Sequence, residues 1–356
     1  MRTHTMSRLF VPLLVVACAA VACKADEAPV PLPPDPAPTS TAGPAKGLVV
    51  ITCDDSSDAA LTATGYSVLS GEAYFTTTIR SKNPGYVTSV NCASGSTLRQ
   101  GFDLDYTRMA VMQHNGPDGR THIGYVDATG TVTDVTDFGG VKGAERRTWP
   151  AFDARTNRLW YRTATGFGSI DPSRPGEARD EPARLADQPA DGSSFHLTPG
   201  GQPLEAGLSM DRAFSEDGKL QVTFVQLEGL KVSAPGQSEA ARSIPWPGPQ
   251  MCTPKQVLDA RRVLCIGPEG LFMVTFSPGY KSLSLRLVSP PLPSGAKIVD
   301  GMASPDREHL AYLMLTSSVL SLYMKPLAND NEPVLVADAI STNGPASARL
   351  AEWRDG

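Results

Sequence analysis

The chain holds 356 residues, 41% hydrophobic and 19% charged, which supports a sizeable core and excludes a largely disordered protein. Its formal net charge is -5 and it carries no basic run, so the electrostatic footprint of a nucleic-acid binder is missing. The 32 glycines and 31 prolines speak against a helical bundle and for many short strands joined by turns.

The first residues read as an export signal. Arg2 and Arg8 form a basic start, and the apolar stretch "LFVPLLVVACAAVAC" runs from Leu9 to Cys23. Only about 14 residues separate the charged start from Cys23, short of the roughly 20 that a spanning helix needs. Both "VVAC", ending at Cys18, and "AVAC", ending at Cys23, resemble the lipobox of bacterial lipoproteins. Cys18 has the better local match, but Cys23 is followed at once by the polar "KADE" and is the favoured lipid attachment site. Residues 1–22 are then a lipoprotein signal peptide.

Residues 23–46 read as the lipidated cysteine and a tether. The stretch Ala28 to Gly47 contains seven prolines, which exclude a helix or a paired strand and favour a semi-rigid extended spacer. A folded domain is expected over residues 47–356.

Four further cysteines, Cys53, Cys92, Cys252 and Cys265, remain in the exported chain, and an even number there points to disulfides. Three pairings are open. The pairing Cys53–Cys92 with Cys252–Cys265 keeps both loops local and is favoured for that reason.

From Gly47 onward a plan recurs: a polar turn, then an apolar strand. It is carried by "FDLDYTRMAVMQ", "PAFDARTNRLWYR", "AFSEDGKLQVTFV", "VLDARRVLCIG" and "MASPDREHLAYLM". Their first strand residues are Met109, Leu159, Leu220, Val263 and Leu310, at intervals of 50, 61, 43 and 47. A second apolar strand follows in "HIGYVDATGTVTDVT" and "VLSLYMKPL". A period of this length with several strands per unit predicts an all-β chain folded as a single β-propeller. Runs such as Leu310-Ala311-Tyr312-Leu313 are apolar on consecutive residues, as a strand buried on both faces requires.

The turns carry their own chemistry. Pro305 presets the backbone of one, Asp306 and Asp217 are placed to accept from backbone N–H groups, and Gly218 supplies positive φ. The C-terminal "ARLAEWRDG" resembles an inner strand without its blade, and "GLVVITC" at Gly47 to Cys53 can complete it. Closure by strands from both termini makes Leu48 a sixth anchor, 61 residues before Met109, and predicts six blades. The first interval also holds "SVLSGEAYFTTTI" and "GYVTSVNCA", enough strand for a seventh.

"SPDREHLAYL" and "SEDGKLQVTF" resemble the Ser-Pro-Asp-Gly-Lys-x-Leu-Ala-Phe repeat of TolB-like (WD-like) propellers, and "IGYVDATGTV" resembles the second strand of the same blade with its Asp-x-x-Gly turn. The resemblance covers roughly residues 100–356. Arg307 stands where glycine is usual and Glu216 where proline is usual. TolB itself carries an N-terminal α/β domain. A proline tether takes that place here, so that domain's partner contacts do not transfer.

No chemistry-bearing motif emerges. G-x-S-x-G is absent, so the hydrolase elbow has no support, and no catalytic residue is expected. His114, His122, His196 and His309 have no metal-ligand spacing and read as loop or strand-edge residues, and no C-x-x-C occurs. Asp54, Asp55 and Asp58 miss the spacing of a calcium loop and read as a solvated turn. "GFGSID", Gly166 to Asp171, lacks the third glycine of a nucleotide loop. No metal and no cofactor are expected. Trp149, Phe214 and Trp353 lie before or at blade turns, where they either pack between blades or anchor a partner at the channel mouth.

The expected protein is a lipid-anchored, extracytoplasmic, monomeric propeller of the bacterial cell envelope. It faces the periplasm or the cell exterior, binds a protein or peptide, and performs no catalysis. The alternative is a calcium-assisted hydrolase or lactonase-like six-bladed propeller, which needs carboxylates converging on the channel.

Overall fold

In a computed structural model the described residues are 47–53, 60–88, 92–114, 116, 121–135, 148–162, 166–174, 179–182, 194–197, 201, 203–206, 212–225, 228–233, 242–247, 251–328, 331–341 and 347–354. The signal sequence, Cys18, Cys23, the proline tether and the Asp54–Asp58 cluster lie outside them. Among the described residues, no helix is long and apolar enough to cross a membrane.

Among the described residues the strands form six four-stranded antiparallel sheets and one two-stranded sheet. Blade 1 contains β1 (Gly47–Cys53), β2 (Ala60–Ser67) and β3 (Ala73–Arg80). Blade 2 contains β4 (Val87–Thr88), β5 (Arg108–Gln113), β6 (His122–Asp127) and β7 (Val132–Asp134). Blade 3 contains β8 (Thr148–Asp153), β9 (Arg158–Arg162), β10 (Gly166–Ile170) and β11 (Arg179–Pro182). A hairpin of β12 (Ser194–Leu197) and β13 (Pro203–Ala206) follows. Blade 4 contains β14 (Arg212–Phe214), β15 (Gln221–Val225), β16 (Gly229–Ser233) and β17 (Arg242–Ile244). Blade 5 contains β18 (Thr253–Val257), β19 (Arg262–Gly267), β20 (Gly270–Phe276) and β21 (Leu283–Leu287). Blade 6 contains β22 (Lys297–Ala303), β23 (His309–Thr316), β24 (Val319–Pro326) and β25 (Val334–Ser341).

The last strand, β26 (Ala348–Arg354), returns to blade 1 and pairs antiparallel with β1, with Leu48 opposite Trp353. The two ends of the sequence thus share one sheet, and the chain is a six-bladed β-propeller closed as expected. All six anchors fall at or next to the start of the second strand of a blade. Five of them, Leu48, Met109, Leu159, Val263 and Leu310, are fully buried.

The consecutive apolar residues have a direct structural reason. Side chains alternate faces along a strand, and a sheet packed between two neighbouring blades buries both faces. On β1, Leu48 and Val50 join the core shared with blade 6, while Val49 and Ile51 join the core shared with blade 2. On β23, Ala311 and Leu313 face blade 1, and Leu310 and Tyr312 face blade 5. Ala110 and Met112 of β5 likewise serve the core with blade 3, while Met109 and Val111 serve the core with blade 1.

The repeated turn is built the same way in different blades. In blade 4, Leu220 N donates to Ser215 Oγ at 2.9 Å and Lys219 N to Asp217 Oδ1 at 3.1 Å. In blade 6, His309 N donates to Ser304 Oγ at 2.9 Å and Glu308 N to Asp306 Oδ1 at 2.9 Å. Gly218 holds φ of 67° and Arg307 holds 63°, so Arg307 occupies the left-handed position that glycine fills without cost. Asp103 and Asp153 cap the equivalent turns of blades 2 and 3.

Two long intervals between anchors have causes that the repeat does not show. The first does not hold a seventh blade. "SVLSGEAYFTTTI" is the end of β2, its turn and β3, and "GYVTSVNCA" supplies β4. Beyond β4 the inner strand of blade 2 is interrupted. Thr88 pairs with Val111 and Phe102 next bridges Met109, with a 3-10 segment (Cys92–Gly101) between them. The second interval holds the β12–β13 hairpin.

Both favoured disulfides are present, Cys53–Cys92 and Cys252–Cys265, with Cα–Cα distances of 5.9 and 5.6 Å. The first fastens the 3-10 segment to β1. The second ties the approach to β18 to its neighbour β19.

Candidate functional site: the axial cavity

The first strands of the blades converge on an axial cavity of about 320 Å³. Its wall is built from β8, β14, β18, β22 and β26, with β12 and the 3-10 segment completing it. The two elements that lengthen the repeat are therefore the ones that narrow the channel. Phe152, Leu197, Phe214, Met302 and Trp353 supply apolar surface, and Arg99, Gln100, Lys255, Gln256, Asp300 and Glu352 supply polar groups.

Most of those polar groups hold neighbouring blades together. Gln256 of β18 grips the backbone of Ala303 on β22: its Oε1 accepts from Ala303 N at 2.8 Å and its Nε2 donates to Ala303 O at 3.4 Å. Gln100 grips Leu197 of β12 in the same two-point manner, at 2.8 and 2.5 Å. A primary amide presents one donor and one acceptor side by side, so it satisfies both groups of a strand edge that has no strand beside it. Asp300 links three blades. Its Oδ1 lies 3.3 Å from Lys255 Nζ of blade 5, and its Oδ2 accepts from Leu350 N of β26 at 2.9 Å.

At the junction of blades 1 and 2, Glu352 lies between two guanidinium groups. Arg99 Nε reaches Glu352 Oε2 at 2.5 Å, and Arg354 Nε donates to Oε1. Arg99 also donates to Phe102 O at 2.9 Å and Asp103 O at 3.1 Å, and its charge lies 4.4 Å from the Tyr106 ring centroid. Burial pushes the Glu352 carboxyl up, but the charges and hydrogen bonds of Arg99 and Arg354 outweigh it and hold the carboxyl below its usual range. Burial also drives the Tyr106 phenol well above its ordinary value. Glu352 is therefore ionised at neutral pH.

The cavity opens toward a broader cleft of about 950 Å³ between the turns of blades 4, 5 and 6, with Phe214, Gln256 and Pro305 shared by both. Tyr280, Lys219, Asp259 and Arg307 line this outer cleft. Arg307 Nη1 lies 3.7 Å from Asp259 Oδ2, joining the turns of adjacent blades.

Of the three aromatics singled out by sequence, Phe214 and Trp353 line the cavity together. Trp149 does not. It packs, partly buried, against the cores around blade 3. Trp353 stacks on His309 with ring centroids 6.2 Å apart. His122 is buried rather than at an open edge, and its Nδ1 lies 2.6 Å from Asp134 Oδ2. "GFGSI" is strand β10, not a phosphate-binding loop. The polar residues of the cavity were not anticipated. Lys255, Gln256 and Asp300 sit on the first strands of blades 5 and 6, and their partners lie on other blades.

The carboxylates at the cavity have protein partners. Asp300 and Glu352 are engaged as described, and Asp153 accepts from Arg155 N at 3.0 Å and Thr156 Oγ1 at 2.8 Å. Among the described residues, one trio of metal-ligand type has its ligand atoms within 4.8 Å of one another: Asp306, Glu308 and His309 on the blade 6 turn. Within it, Asp306 Oδ1 already accepts from Glu308 N and Ser304 Oγ.

No protein-family model matches the chain, and no curated protein matches it. Solved structures with similarity include a functionally unknown protein from Desulfotomaculum acetoxidans DSM 771, at 10% identity, covering 86% of this chain and 99% of that one with a TM-score of 0.43. The C-terminal WD40 domain of Sif2 is 11% identical over 80% of this chain and 82% of its own, with a TM-score of 0.37. An oligogalacturonate lyase in complex with manganese is 12% identical over 82% and 73%, with a TM-score of 0.35. A propeller fold does not by itself select a function.

Proposed function

We propose that this protein is an exported, lipid-anchored, TolB-like propeller that binds a peptide or protein segment without catalysing a reaction. In this reading residues 1–22 are removed, Cys23 carries the lipid, residues 23–46 act as the spacer, and the domain from Gly47 works outside the cytoplasm. The two disulfides accord with an oxidising compartment.

The observation that carries the reading is the axial cavity with its aromatic mouth. Phe214 belongs to both the cavity and the outer cleft, so a chain segment crossing the cleft can place one side chain inward. Among the described residues the lining contains no serine, cysteine or histidine to act as a nucleophile or base, and its carboxylates already have partners, Asp300 and Glu352 between blades and Asp153 in its own turn. That arrangement favours binding over the calcium-assisted hydrolase alternative.

The test is a photo-crosslinking amino acid placed at Phe214 in intact cells, with the same group at exposed Leu69 as the control. Adducts from position 214 and none from position 69 support the reading. Equal labelling from both, or none from either, overturns it. Cys23→Ala is expected to release the protein into the soluble fraction, and full membrane retention of that variant rejects lipidation there.

A further inference from the structure

We infer that the axial cavity is selective for an organic carboxylate joined to an apolar or aromatic body, with Lys255 as the group that receives the carboxylate; this rests on the cavity being the binding site proposed above.

Lys255 lines the cavity, and its side chain is only 14% exposed. An ammonium group has three N–H donors. Among the described residues its one ion-pair partner is Asp300, at 3.3 Å, and a buried ammonium with spare donors is costly unless a further acceptor arrives. Asp300 cannot turn fully toward Lys255, because its second oxygen holds Leu350 N. The lining holds Arg99 and Lys255 against Asp153, Asp300 and Glu352, so the selectivity rests on the free donors of Lys255 and not on an excess of positive charge. A carboxylate entering the cavity supplies the missing acceptor. Phe214, Met302 and Trp353 offer apolar walls for the rest of the ligand, and about 320 Å³ matches a side chain or a small acid rather than a folded domain.

The experiment uses the full-length protein in mild detergent, with binding followed by calorimetry. Three probes are compared: N-acetyl-phenylalanine, N-acetyl-phenylalaninamide, and the amidated dipeptide N-acetyl-Phe-Glu-amide. The free acid is expected to bind at least about tenfold more tightly than the simple amide, the scale of one charge-assisted contact. Equal binding of acid and side-chain-acid dipeptide identifies any carboxylate as sufficient. Preference for the free acid alone identifies a terminal carboxylate, and either result supports the inference.

Lys255→Met should abolish the preference. Because that change strands Asp300, Lys255→Met combined with Asp300→Asn keeps the site neutral and keeps the Leu350 contact, and it should abolish the preference equally. Asp300→Asn alone frees Lys255 from its competitor and should tighten acid binding severalfold, which a purely structural lysine would not do. Equal affinity for acid and amide, no binding of any probe, or a preference that survives in the double variant, overturns the carboxylate assignment. Crosslinking from position 214 is scored separately, so the peptide-binding reading stands or falls on its own result.

Discussion

Arg99 and Glu352 are 253 residues apart in sequence and joined directly in the fold. One belongs to the 3-10 segment that interrupts blade 2, the other to the strand that closes blade 1. Their contact locks the closing strand to the next blade. Removing one partner of a largely buried ion pair typically costs about 3 kcal/mol, because the other charge is stranded. Glu352→Gln is expected to lose about that much in urea unfolding at pH 7. An unchanged midpoint rejects a structural role for the pair.

The same residue fixes a pH dependence. Its folded pKa lies below the unfolded Glu value of 4.5, so its contribution is fully present above that value and is lost as pH falls through the lower, folded pKa. Wild-type Tm should therefore fall on the acid side, below about pH 4.5. The Glu352→Gln profile should be flatter in that window, since it has no proton to take up. Parallel profiles for the two proteins would exclude Glu352 as the source.

Leu48, Met109, Leu159, Val263 and Leu310 show why the wheel was legible in the sequence. Each begins or lies near the start of a strand that is apolar on both faces, and all but Leu48 are preceded by a polar turn. That combination is local, so it survives in a single sequence. Lys255, Gln256, Asp300 and Arg99 were not legible because their partners lie in other blades. A glutamine that bonds the backbone of the next first strand leaves no local pattern at either end. The β12–β13 hairpin was missed for a related reason: it sits in an interval of 61 residues that looked like ordinary spacing variation. Trp149 shows the limit of the positional argument, since an aromatic before a turn points to the channel in one blade and into a core in another.

Gln256 gives a clean test of the blade-to-blade amide contact. Gln256→Ala leaves both the N–H and the C=O of Ala303 without their partner at a site only partly open to water. An unsatisfied buried backbone group costs about 1–3 kcal/mol. Gln256→Glu keeps an acceptor for Ala303 N but loses the donor to Ala303 O, so it should fall between wild type and alanine. Chemical denaturation of the three proteins ranks them, and any other order contradicts the two-point contact.

The matched turns of blades 4 and 6 make opposite predictions. Gly218 holds φ of 67°, where a side chain is strained, so Gly218→Ala should destabilise by about 1 kcal/mol. Arg307 already bears that strain at 63°, so Arg307→Gly should be neutral or stabilising by up to about 1 kcal/mol. The exposed Arg307–Asp259 contact that it removes is worth little. Thermal unfolding of both variants checks the pair. A large loss from Arg307→Gly would show that the Asp259 contact, not the backbone, governs that turn.

The Cys53–Cys92 bridge closes a separation of 39 residues and anchors the segment that carries Arg99 and Gln100 into the channel. Loop-closure entropy assigns such a bridge about 4 kcal/mol of stability through the unfolded chain. Replacing both cysteines with serine is expected to lower stability by that order. It should also loosen the 3-10 segment, because Cys92 is buried against β1 in the same core as Leu98 and Phe102. The Cys252–Cys265 bridge, with a separation of 13, is expected to give about 3 kcal/mol and lies in blade 5, away from that segment. Hydrogen exchange at Leu98 to Gly101 separates the two: it should accelerate in the first double-serine variant and stay near wild type in the second. If both variants protect the segment equally well, the Cys53–Cys92 bridge is not what holds Arg99 and Gln100 in the channel.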